Sequence, residues 1–145
     1  MSIFGQMNES TERWKLIQNV LNNNIFETIV EIGTWRGMGS TLCFLKNKND
    51  NSHFISLESN LSNYQIAKDN LSDFNNNFTL IYGRIIEIED VINFISDLNL
   101  SEEQKSWLSG DLIDFEKTVN VKDLIPNKID FLPLLFGFLK HDPCL

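Results

Sequence analysis

The stretch TIVEIGTWRGMGSTLCFLK, residues 28–46, places a carboxylate, Glu31, inside a short apolar run and follows it with Gly33, Gly37 and Gly39. Thr28–Ile32 is short and β-branched and reads as a strand. A helical pattern resumes near Gly37 and runs to about Lys46. A charge in a strand that should be buried, just before a glycine-rich bend, asks for a partner. Burying Glu31 unpaired would cost several kcal/mol. Three partners suit it: a ligand ammonium, the local backbone, or Arg36. The glycines have two readings as well. They shape a turn, or they let a ligand or the sheet approach the start of the next helix. That helix start offers free N–H groups and partial positive charge to a carboxylate or phosphate. A small molecule carrying both an ammonium and a carboxylate would satisfy both halves of the stretch.

The rest of the chain extends the same rhythm. Ser10 is placed to cap a helix running to about Asn22, with Trp14, Ile17, Val20 and Leu21 on one face. His53–Glu58 and Phe78–Tyr82 read as the second and third strands and Ile129–Leu132 as the fourth. Between them, Asn60–Phe74 and Glu89 to about Leu98 read as helices. The first of these should turn Leu61, Tyr64, Ala67, Leu71 and the stem of Lys68 inward. Asn clusters at 22–24 and 75–77 punctuate the pattern. Strands alternating with helices imply parallel strands joined by crossovers, and near-continuous apolar strands imply a sheet covered on both faces. The expected fold is α/β: a doubly wound, Rossmann-like, mostly parallel sheet with helices on both faces and about four strands. Residues 1–9 read as a loose tail, 10–132 as one domain with a charged helical insertion at about 101–122, and 133–145 as an atypical tail.

Composition narrows the partners. The 145 residues carry 12 basic and 20 acidic side chains, a net charge of −8. That disfavours a nucleic-acid backbone or an anionic membrane, both of which need a basic surface. No run approaches the roughly 20 apolar residues of a membrane span. The first residues lack the basic and apolar regions of a signal peptide, so the cytoplasm is the expected location. Cys43 and Cys144 lie far apart and suggest neither a disulfide framework nor a metal cluster.

In a sheet of this kind ligands bind beyond the carboxyl ends of the strands, at the first βα turn. The spacing there is Glu-x-Gly-x-x-x-Gly, neither the dinucleotide fingerprint nor a P-loop. The second strand ends in Glu58, 25 positions beyond Gly33 (58 − 33), where an acid commonly accepts hydrogen bonds from ribose hydroxyls.

Together, VEIGTWRGMGS and ISLESN resemble motif I and the acidic motif II of the class I S-adenosylmethionine-dependent methyltransferases. They are most similar to the small-molecule O-methyltransferase and cephalosporin-hydroxylase-like branch, over roughly residues 10–132. The resemblance implies S-adenosyl-L-methionine as cofactor and a small-molecule methyl acceptor. It implies that Glu31, Gly33, Thr34, Trp35 and Gly37 line the methionine and ribose part of the cofactor, with Ser40 near its carboxylate. Glu58, with Ser59 beside it, would hold the ribose hydroxyls, and Gly83 and Arg84 would flank the adenine.

The pattern departs from the family after strand four. The acid usual at that strand's end is missing: Asp130 comes too early, and Pro133 interrupts pairing. Four strands are expected here against the seven of the complete fold. The tail PLLFGFLKHDPCL is therefore expected to be a truncated or frame-shifted end, exposing an apolar segment prone to self-association. His141 and Asp142 are expected to be exposed. No catalytic base and no metal ligand can be named. Two other readings stand beside the methyltransferase: a nicotinamide-dependent α/β oxidoreductase, and a non-catalytic nucleotide-binding or interaction module.

Overall fold

The computed structural model describes residues 7–97, 100–104 and 118–126. Its elements are α1 (Glu12–Asn23), β1 (Thr28–Ile32), α2 (Ser40–Asn47), β2 (His53–Glu58), α3 (Leu61–Asn70), β3 (Phe78–Tyr82), α4 (Ile88–Asp97) and a 3-10 turn at Lys122–Leu124. The three strands form a parallel sheet in the order β1-β2-β3. This is the α/β layer of Rossmann-like type that the sequence pattern requires. The expected fourth strand, the body of the insertion and the tail from 133 lie outside the described residues.

Pleating sorts the strand residues between two apolar layers. Ile29 and Phe54 face α1, α2 and α3, packing with Trp14, Ile17 and Leu21, with Cys43 and Phe44, and with Ala67 and Leu71. The Phe44 and Phe54 rings lie 5.2 Å apart, and Phe54 stacks on Phe78 at 5.6 Å. Val30, Ile55 and Leu57 face the other way and meet Val121, with Ile81, Ile85 and Ile125 against them. The segment around the 3-10 turn thus covers part of the second face.

Several local expectations change. Thr11, not Ser10, caps α1, accepting from the Trp14 N–H, while the Ser10 hydroxyl donates to Asn8 Oδ1 at 2.6 Å. Met7, in the stretch expected to be a loose tail, is buried in the first core layer, and Glu9 pairs with Lys46 at 2.7 Å. Helix α2 begins at Ser40 rather than near Gly37, because Gly37 sits at φ +80°, outside helical space. On α3 the inward face is narrower than the periodicity implies: Ala67 and Leu71 are buried, Tyr64 is half-buried, and Leu61 and Lys68 are exposed. His53 opens β2 and shares a 3.0 Å hydrogen bond with Thr79 Oγ1, a structural role.

Candidate binding site at the carboxyl edge of the sheet

The turn after β1 is fastened to the end of β2. The N–H groups of Gly33 and Thr34 both donate to the Leu57 carbonyl at 2.9 Å. The Trp35 N–H donates to Glu58 Oε2 at 2.6 Å. The chain then closes a tight turn, Gly37 N–H to Thr34 carbonyl at 3.1 Å. Gly33 (φ +93°) and Gly37 (φ +80°) occupy left-handed backbone, the natural place for glycine. Trp35 does so too, at φ +53°, where a side chain normally costs about 1–2 kcal/mol. Its bond to Glu58 helps hold it there. The Trp35 ring is 38% exposed, with the Arg36 guanidinium 5.1 Å from its centre.

The two glycines differ in what surrounds them. A Cβ on Gly37 would come within 2.7 Å of Leu71 Cδ1, so this glycine lets the turn pack against α3. A Cβ on Gly33 would meet no protein atom within 4 Å. Gly33, like Gly39 at the start of α2, is therefore a position where the turn can be approached closely from outside the protein.

Glu31 is buried, at 4% exposure, and answers its need for partners with hydroxyls. Its Oε2 accepts from Thr41 Oγ1 at 2.6 Å and from Ser56 Oγ at 2.7 Å. Ser56 lies directly beside it on β2, as the register Glu31↔Ser56 requires. Thr34 Oγ1 lies 2.5 Å from Ser56 Oγ and 3.0 Å from the Leu57 carbonyl. Thr34, Thr41 and Ser56 are all buried. The sequence reading missed Thr41 and Ser56. The available signal was Ser56 itself, a polar residue inside the apolar run of β2 on the pleat phase of Glu58.

Glu58 is also buried. Burial pushes its carboxyl above the ordinary 4.5, opposed by backbone N–H bonds from Asn60, Trp35 and Ser59, and the charge of Glu31 adds to the rise. A carboxylate offers about four lone-pair sites. The Trp35 and Asn60 N–H groups, at 2.6 and 2.8 Å, leave it room to accept from a ligand hydroxyl.

The remaining sequence candidates fall into two groups. Ser59 follows Glu58, whose carboxyl its backbone N–H helps to hold down against burial, and Ser40 is the first residue of α2. The Gly83 N–H donates to the Glu58 carbonyl at 3.0 Å, which brings the end of β3 to the same edge. Yet Gly83 and Arg84 are also engaged by the 118–121 segment. A Cβ on Gly83 would sit 2.6 Å from Val121 Cγ1, and Arg84 pairs in parallel with Asn120. The Arg84 guanidinium donates to the Thr118 carbonyl. Its side chain thus anchors that segment.

A separate cleft of about 640 Å³ opens at the opposite, amino edge of the sheet, lined by Lys48, Asp50, Asp73 and Asn75–Asn77 among others. None of the strand-end residues lines it. Among the described residues no cluster of three or more His, Cys, Asp or Glu could hold a metal ion, and no helix is long and apolar enough to cross a membrane.

No protein-family model matches the chain, and no curated protein matches it. Solved structures do. A protein assigned as a caffeoyl-CoA O-methyltransferase from Staphylococcus aureus is 31% identical over 58% of this chain and 41% of its own, with a TM-score of 0.48. The O-methyltransferase from Bacillus cereus, in complex with S-adenosylhomocysteine, is 21% identical over 68% and 44%, with a TM-score of 0.47. The O-methyltransferase of tomaymycin synthesis from Streptomyces achromogenes, in complex with S-adenosylmethionine, is 17% identical over 66% and 41%, with a TM-score of 0.46. The chain spans about two fifths of the length of these structures.

Proposed function

We propose that this chain is an S-adenosylmethionine-binding domain of the class I methyltransferase type, acting on a small-molecule acceptor. The observation that carries the reading is the Trp35–Glu58 hydrogen bond. It joins the glycine turn of motif I to the acid of motif II at the carboxyl edge of a parallel sheet, above the buried carboxylate of Glu31. The residues fit the group. Glu31 would face the ammonium, directly or through water, and Ser40 with the start of α2 the carboxylate. Gly33, Thr34 and Trp35 would border the methionine and ribose, and Gly37 would hold the turn against α3. Glu58 and Ser59 would take the ribose hydroxyls, and the backbone at Gly83 and Arg84 would flank the adenine.

When bound, the cofactor supplies an electrophilic sulfonium methyl, open to attack by an acceptor oxygen or nitrogen. The chain's own share is binding and alignment of the two reactants. The cytoplasm is the proposed location.

Calorimetric titration of the purified chain tests this reading. S-adenosylhomocysteine should bind and NAD should not. Binding of NAD with no response to S-adenosylhomocysteine would replace the reading with the nicotinamide-dependent oxidoreductase. A methyl-transfer assay then separates an active domain from a non-catalytic module.

A further inference from the structure

The hydroxyls around Glu31 have one proton each, and that limits how they can be connected. Thr41 donates to Glu31 Oε2, and Ser56 donates to the same oxygen. Thr34 Oγ1 lies 2.5 Å from Ser56 Oγ and 3.0 Å from the Leu57 carbonyl, which already takes the Gly33 and Thr34 N–H groups; with the Ser56 proton on Glu31, the shorter contact takes the Thr34 proton. The result is a relay: Thr34 to Ser56 to Glu31, met from the other side by Thr41. It spans the turn, β2, β1 and α2, and all four side chains are at most 4% exposed. Two short charge-assisted bonds on one carboxylate oxygen fix both the rotamer and the plane of Glu31. Ser56 is the joint of this relay: its hydroxyl touches both the Glu31 carboxylate and the Thr34 hydroxyl of the turn.

We propose that Ser56 is a positioning residue for ligand binding: through its hydrogen bonds to Glu31 and Thr34 it presets the carboxylate that receives the amino-acid end of the ligand. This rests on the cofactor reading above. Its consequence is selective. Ser56 should matter for a ligand that carries the ammonium and not for one that lacks it.

The test compares S-adenosylhomocysteine with 5′-methylthioadenosine, which keeps the nucleoside and thioether but has no amino-acid group. Calorimetry on Ser56→Ala should show affinity for S-adenosylhomocysteine reduced about tenfold, and for methylthioadenosine by less than about twofold. Thr41→Val, close to isosteric, removes the other donor to Glu31 and should reproduce the selectivity if Ser56→Ala proves unstable. Equal losses for both ligands, or no loss for either in variants with unchanged thermal unfolding, would overturn the proposal while leaving the cofactor reading intact. If the wild-type chain binds neither ligand, the cofactor reading itself falls and takes the proposal with it.

Discussion

The backbone N–H of Trp35, in left-handed conformation, donates to Glu58 Oε2 at 2.6 Å across 23 positions of sequence. One bond thereby sets the shape of the turn and the orientation of the acid. The Glu58 carboxylate closes the mouth of the β1–α2 turn and retains capacity for a further donor.

Glu58→Ala should therefore weaken S-adenosylhomocysteine binding by about 1.5–3 kcal/mol, the scale of a hydrogen bond to a charged group. Calorimetry checks this, with circular dichroism to confirm folding. Unchanged affinity in a folded variant would remove Glu58 from the site.

Gly33→Val should abolish binding without unfolding the chain. A side chain at φ +93° costs about 1–3 kcal/mol, yet it meets no protein atom within 4 Å. The loss should appear in ligand titration, with only a modest fall in unfolding temperature. Normal binding would mean that no ligand approaches the turn at Gly33.

Gly37→Ala should do the reverse. Its new methyl would press into Leu71 Cδ1 at 2.7 Å, and overpacking of that kind costs about 1–3 kcal/mol. Denaturant melts should show the loss, and adding Leu71→Ala should recover less than Leu71→Ala alone removes, because it opens a cavity of its own. Additive losses in the double variant would show that the two residues do not touch.

The pH dependence follows from Glu58. Its folded pKa is raised above the ordinary 4.5, chiefly by burial. A raised carboxyl pKa means that the folded state holds the proton more tightly than the unfolded chain does. The stabilising contribution is then full below 4.5 and is lost as pH rises through the folded value. Ligand affinity should run the other way, since ribose hydroxyls need the ionised acceptor: binding should strengthen as pH climbs through that same window. Titrations across it should show this slope in wild type and a flatter one in Glu58→Gln. Equal slopes would assign the effect to another group.

Burial pushes the Cys43 thiol up to about 12, so little thiolate exists at neutral pH. In a Cys144→Ser background, a thiol reagent should label Cys43 only as the chain unfolds. Prompt labelling of the native protein would contradict its packing against Trp14 and Phe44.

All three described strands keep the boundaries read from sequence, because each is a short β-branched or aromatic run bracketed by polar turns. The Trp35–Glu58 neighbourhood was legible as well: parallel pairing brings the ends of successive strands to one edge. What escaped was non-local. The Ser56–Glu31 contact depends on strand register, which no single stretch reveals. The role of Gly37 depends on where Leu71 of α3 lands, and burial of Met7 depends on a groove formed by helices that follow it. The start of α2 was misread because glycines at 37 and 39 carry no periodicity of their own.

The central claim is that the carboxyl edge of the sheet, at Gly33 and Glu58, is the ligand-binding edge. Amide NMR of the labelled chain titrated with S-adenosylhomocysteine tests it most directly. The amides of Gly33, Trp35, Ser59 and Gly83 should shift together and saturably, while those of Asn75, Asn76 and Asn77 at the amino edge stay in place. Shifts confined to Asn75–Asn77, or no saturable shift at Gly33 and Trp35 in a folded protein, would contradict it.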